Sequence, residues 1–177
     1  MTTSEPTTAQ ETDRERADLL ESLRAHRAFL RHTVQGLTDE QARLRPVPSS
    51  ELSLGGLVKH VLLTERQWVD FVLDGPAVMA ATHESWAERA DGFVLRRDEK
   101  LEGVLAAYAE VARRTDELVL SLPDLDAAQP LPEAPWFETG ATRSARRVLV
   151  HIVGETAQHA GHADILREAV DGQKTMG

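Results

Sequence analysis

Residues 148–172 read VLVHIVGETAQHAGHADILREAVDG, and the direction in which their polar residues point decides the fold. His151, Glu155, His159 and His162 follow one another at steps of four, four and three, so they share one side of a helix. Each position advances by about 100°; with Glu155 at zero, Val148 and Leu166 fall near 20°, Ile152 and Val170 near 60° and Leu149 near 120°. His159, at about 40°, lies at the centre of this apolar arc, Glu155 beside it, His162 at about −20° and His151 at the rim near −40°. The polar stripe therefore faces the core. A helix that aims a carboxylate and a histidine inward needs other helices around it, and a partner for the charge, because an unpaired buried carboxylate costs several kcal/mol or is neutralised.

The rest of the chain supplies the helices. Leu19, Leu23, Leu30, Val34 and Leu37 recur at three- and four-residue steps, predicting an amphipathic helix over about 13–36, with Thr12 and Glu15 as a capping box. Residues 1–12 are a polar, acidic leader with nothing to bury, expected to be disordered. A turn of helix is expected at Thr38 to Leu44, before Pro46 and Pro48. A second long helix runs from an N-cap at Ser53 through LGGLVKHVLLTERQWVDFVLDG to Gly75-Pro76, with Lys59, Arg66 and Asp70 as its solvent face. Residues 76–97, with Trp86 and Phe93, connect onward through a short extra helix. Asp98 caps a third helix whose face is Leu101, Val104, Leu105, Tyr108, Val111, Thr115, Leu118 and Leu122. Pro123 to Thr142, carrying four prolines and Trp136, is a long ordered loop or lid. Thr142 opens the last helix, and Gly172 stops it; 173–177 form a tail. Four long helices without an alternating strand predict an all-α four-helix bundle over 13–172, and connections of about 20 residues on either side of the third helix permit parallel neighbours.

Composition narrows the function. The chain of 177 residues carries 29 acidic and 20 basic side chains, a net charge of −9, and has no cysteine. That balance disfavours nucleic acid and anionic membranes as partners, and no stretch of 18 apolar residues spans a bilayer. The N-terminus lacks the basic start and apolar run of a signal peptide, so a cytoplasmic protein is expected. Without cysteine there is no disulfide scaffold, thiolate zinc site or internal thiol nucleophile.

No Lys or Arg is recognised on the inward stripe of the last helix, whereas a Glu and a His four residues apart can hold one metal ion. His60, turned sideways into the bundle between Leu57 and Phe71, is a candidate third ligand, and His26, between Leu23 and Leu30, is the other. His32 and His83 lack an apolar setting. Glu65 also points inward and calls for an Arg or a helix terminus. Two His and a carboxylate suit Zn²⁺ with an open position, and also Fe, Ni or Mn. Arg143, Arg146 and Arg147 sit at the unfavourable end of the last helix's dipole. Each either pairs with surface acids or anchors polar groups of a ligand.

These segments, together with the Pro135-Trp136 loop, resemble the DinB-like superfamily of four-helix metal-binding proteins, closest to the branch of the mini-circle proteins and mycothiol S-transferases. The resemblance spans about residues 15–172. It implies a divalent metal held by His60, Glu155 and His159, with His162 beside them as a supporting or alternate ligand. It further implies that a low-molecular-weight, mycothiol-like thiol is activated at the metal for attack on an electrophile, with Trp136 and Arg143 as contacts for the thiol cosubstrate. The catalytic residues beyond the metal ligands are not assigned. A thiol-dependent isomerase like maleylpyruvate isomerase, or a non-catalytic dimeric stress-response module, are the alternatives, and a homodimer is expected from the family. The missing cysteine fits, since the sulfur then arrives from outside.

Overall fold

A computed structural model describes residues 8–79 and 91–175. Its long helices are α1 (Thr8–Thr33), α3 (Leu54–Asp74), α4 (Leu101–Ser121) and α5 (Ala145–Asp171), with the single-turn helix α2 (Asp39–Arg43) between the first two. The all-α bundle is thus the architecture of the chain. Among the described residues, no helix is long and apolar enough to cross a membrane. Helix α1 begins five residues before the expected Asp13. The expected short helix between α3 and α4 falls mainly on residues outside the described ones, as do Trp86 and His83; a 3-10 turn, Pro76–Met79, is seen at its start.

Contacts along the helices fix their directions. Arg146, at the start of α5, binds Glu15 of α1, while Arg167, near the end of α5, donates to the carbonyls of Thr33 and Gln35 at 2.9 Å. The two helices are therefore parallel. Lys59 and Asp70 of α3 pair with Glu99, just before α4, and Arg114, within it, so α3 and α4 are parallel too. Helices α3 and α5 run antiparallel, with His60 beside Glu155 and Trp68 against His151. Consecutive parallel helices cannot be joined by a tight turn, which is why the chain spends residues 75–100 on a crossover from α3 to α4; residues 122–144 connect α4 to the antiparallel α5.

Local chemistry sets the helix ends. Ser53 and Ser144 accept hydrogen bonds from the backbone N–H groups of Gly56 and Arg147, capping α3 and α5. Gly172 closes α5 in the left-handed conformation, φ 78°. Two expected caps are displaced. Thr142 lies instead in β2 (Thr142–Ser144), which pairs antiparallel with β1 (Ala128–Pro130), a short ladder that the proline-rich stretch concealed. Asp98 does not cap α4. The helix starts at Leu101, whose N–H is taken by Asp39 of α2 at 2.8 Å, so a neighbouring element supplies the cap.

The core divides into two apolar clusters. One gathers Leu30, Leu57, Val61, Val104, Tyr108 and Ala163, the other Leu23, Trp68, Phe71, Val148, Leu149 and Ile152. The buried charges of α3 have partners. Glu65, fully buried, is met by Arg27 in a doubly hydrogen-bonded pair and by the Thr115 hydroxyl at 2.6 Å. The cation that Glu65 requires therefore comes from α1. Lys59 corrects the expected solvent face of α3: it is buried, its ammonium held by Asp91, Glu99 and the carbonyl of Val94. Arg66 is exposed and Asp70 half-buried, but Lys59 is covered because residues 91–100, at the end of the connection from α3 to α4, fold down over α3 and bring Asp91 and Glu99.

Candidate metal centre

Helices α3 and α5 bring His60, Glu155 and His159 together, with one ligand-capable atom from each lying within 4.8 Å of the other two. The Glu155 Oε2 atom is 3.5 Å from His159 Nε2 and 3.8 Å from His60 Nε2. These separations exceed hydrogen-bonding distance and approach the edge of a tetrahedron around an ion, about 3.3 Å for bonds of about 2.0 Å. The third separation, between the two histidines, lies within 4.8 Å, so the rings must draw together to close on an ion, and the N, N, O donor set suits Zn²⁺ or Fe²⁺. Three side chains leave coordination positions open, as a reactive site requires.

Each ring is held by its surroundings. His60 stacks on Phe93 with centroids 3.7 Å apart and planes 16° from parallel, and meets the edge of His159 at 4.8 Å. His159 is buried, and Glu155 about one-quarter exposed. The Glu155 carboxyl is held well below the usual carboxylate range by His159 first and His60 second, against the opposing effect of burial. It is thus an anion ready to bind a cation. His162 is not part of this triad; its Nδ1 lies 3.5 Å from the Nδ1 of His159, on the side of that ring away from the nitrogen that faces Glu155. His26 is half-buried against Phe29, outside the site, because Arg27, one step round α1, takes the inward position. His32 is exposed.

The close fit of residues 93–95 against α3 depends on glycine. A Cβ on Gly56 would stand 1.9 Å from the carbonyl oxygen of Phe93, and one on Gly55 would stand 2.6 Å from Leu95. Gly56→Ala is therefore expected to lift residues 93–95, carry the Phe93 ring away from His60 and destabilise the fold by about 1–3 kcal/mol. A urea titration with a parallel metal-affinity measurement checks this; unchanged values for both would show that the crossover yields without effect.

A second row of residues continues the site towards the start of α5. His151 Nε2 is 3.7 Å from Glu155 Oε1, and its ring stands edge-on to Trp68 at 5.0 Å. Burial, together with Arg143 and Arg147, lowers the His151 pKa against the pull of Glu155. The Arg143 guanidinium lies 5.0 Å over the Trp68 ring and 5.6 Å from the Phe137 ring. Phe137 in turn contacts Trp136, whose side chain is 45% exposed. Sequence reasoning placed His151 at the rim and Trp68 in the packing; their common role as a wall between Glu155 and Arg143 was missed. The four-residue step from His151 to Glu155 was the available signal. Of the three arginines, Arg146 follows the surface-pairing expectation, binding Glu15 and Asp126. Arg143 does not.

The comparisons with known proteins agree with this frame. Two solved structures share the fold: a conserved protein from Enterococcus faecalis, with a TM-score of 0.65 at 15% identity over 88% of this chain and 96% of that one, and YfiT from Bacillus subtilis, with a TM-score of 0.60 at 19% identity over 94% and 91%. YfiT is described as a probable metal-dependent hydrolase with an unusual four-helix bundle topology. No curated protein matches the chain at a significant level. The mycothiol S-transferase family model matches residues 18–172, a span that contains the entire triad and all four long helices apart from the first turns of α1. The chain belongs to the mycothiol S-transferase family, within the DinB-like four-helix bundles.

Proposed function

We propose that this protein is a metal-dependent thiol S-transferase, joining a low-molecular-weight, mycothiol-like thiol to an electrophile at the His60, Glu155, His159 centre. The observation that carries the reading is the triad itself, an inward, pre-charged Glu155 between two histidines in a chain that has no cysteine of its own. His60, Glu155 and His159 would hold a divalent ion, Zn²⁺ being favoured by the donor set, which would lower the pKa of a coordinating thiol and so make a thiolate available at neutral pH. The chain's own residues do the rest. His60 and Glu155 come from two helices locked by the bundle, Phe93 and His162 hold the histidine rings in place, and Trp68 with His151 forms a wall that limits water at one side. In this reading Trp136 and Arg143 border the approach of the thiol, the reaction takes place in the cytoplasm, the protein works as a homodimer by family analogy, and neither nucleic acid nor membrane takes part.

The test is thiol consumption by purified protein over a panel of electrophiles, before and after chelation and metal return. Metal-restored loss of free thiol with formation of a conjugate is the expected result. Metal-restored turnover with the thiol regenerated would identify an isomerase instead, and inertness of the metal-loaded protein towards every thiol and electrophile would point to a non-catalytic module.

A further inference from the structure

We propose that Arg143 is a specificity-determining residue that binds a carboxylate of the substrate reaching the His60, Glu155, His159 centre. The proposal rests on that centre being a binding site and goes beyond it by naming the chemical class of what enters.

Among the described residues, the other arginines that enter this bundle have acceptors. Arg16 donates to the carbonyls of Val119 and Leu122, Arg27 to Glu65 and Asp116, and Arg167 to Thr33, Gln35 and Asp171. Arg143 is the exception: its Nη1 is buried and has no acceptor. A buried donor left unmatched costs about 1–3 kcal/mol, and this chain, with 29 acidic residues, had ample means to provide a partner. Instead, burial first and the Arg147 cation second lower the guanidinium's pKa. The group is nevertheless firmly oriented. Its strand position is fixed opposite Gln129 in the β1–β2 ladder, and the Trp68 and Phe137 rings hold its plane. A fixed guanidinium with free donors and no internal anion matches the planar, bidentate geometry of a carboxylate.

Its position supplies the functional link. Trp68 touches Arg143 on one side and His151 on the other, and His151 abuts Glu155. A molecule with one end at the triad therefore has its carboxylate within the span of a single indole ring's contacts. The carboxylate belongs either to the thiol or to the electrophile, and the two sources can be told apart.

The experiment uses the full chain loaded with Co²⁺, read by the thiolate-to-cobalt charge-transfer absorption on titration with 3-mercaptopropionate, 4-mercaptobutyrate and neutral 2-mercaptoethanol. A second arm titrates metal-free protein with glutarate, read by tryptophan fluorescence. A thiol-borne carboxylate gives at least one mercaptocarboxylate a preference of about tenfold or more over 2-mercaptoethanol, as a charge-assisted hydrogen bond would. That preference is lost in Arg143→Gln and partly kept in Arg143→Lys. A carboxylate borne by the electrophile gives saturable glutarate binding that Arg143→Gln abolishes, with equal affinities of the three thiols for the cobalt-loaded protein. Equal affinities for all thiols, together with no Arg143-dependent glutarate binding, overturn the proposal. Failure of cobalt to bind would count against the metal centre alone, with the glutarate arm still deciding the role of Arg143. Thermal unfolding of both variants shows whether they are folded; if Arg143→Gln is not, Arg143→Lys carries the comparison.

Discussion

His159→Ala is expected to remove stoichiometric divalent-metal binding, lowering affinity by more than about a hundredfold, since loss of a mere outer contact to a metal ligand already costs 10- to 100-fold. The imidazole cannot be replaced from nearby. His162 approaches the wrong side of the ring it would replace, its Nδ1 facing the Nδ1 of His159 rather than the Glu155 carboxylate. His151 reaches the other carboxylate oxygen, Oε1, and is turned towards Trp68. His162→Ala should accordingly retain the metal, with a loss of about 10- to 100-fold from the freer His159 ring. Metal analysis of dialysed protein and competition with a chromophoric chelator read both variants, and circular dichroism establishes that each is folded. Equal metal content in wild type and His159→Ala would remove His159 from the ligand set. Loss of metal in His162→Ala to the same extent would make His162 a ligand in its own right.

Arg27→Met is the substitution expected to cost most in stability. It leaves Glu65 fully buried with the Thr115 hydroxyl as its remaining partner of the present network. Stranding one member of a buried pair costs about 3–5 kcal/mol, a large part of a typical folding free energy of about 5–15 kcal/mol, and a fall in midpoint of roughly 10 °C for a chain of this size. The reciprocal change, Glu65→Leu, should cost less, because Arg27 keeps Asp116 at 2.7 Å and that acid is partly solvated. Combining the two substitutions should recover most of the loss, since apolar side chains of similar volume substitute for a buried ion pair at little net cost. Urea unfolding of the four proteins in a double-mutant cycle measures this. A cycle in which the two losses simply add would mean that Arg27 and Glu65 do not act as a unit.

These two predictions mark where sequence reasoning carried and where it stopped. The inward aim of Glu155, His159 and Glu65 was legible because a helix's apolar arc follows from periodicity alone. The identity of the cation facing Glu65 was not. His26 and Arg27 both lie between Leu23 and Leu30 at helical spacing, so the pattern admits either as the inward residue, and only the packing of α1 on α3 selects Arg27. Lys59 shows the same limit from the other side. Its polarity placed it in solvent, but a crossover bearing Asp91 and Glu99 closes over it. The cap of α4 was misplaced because Asp39, more than sixty residues earlier in the chain, supplies it.

The sequence by itself determined the four amphipathic helices, the ends of α3 and α5 at Ser53, Gly75 and Gly172, and the inward aim of Glu65, Glu155 and His159, because each follows from interactions within a few residues along the chain. Only the tertiary structure decided that α1 runs parallel to α5 and α3 to α4, that His60 rather than His26 meets Glu155, and that Arg143 is held between Trp68 and Phe137 without an acid of its own. Those outcomes depend on which surfaces distant segments bring to one another, and helical spacing does not encode that choice.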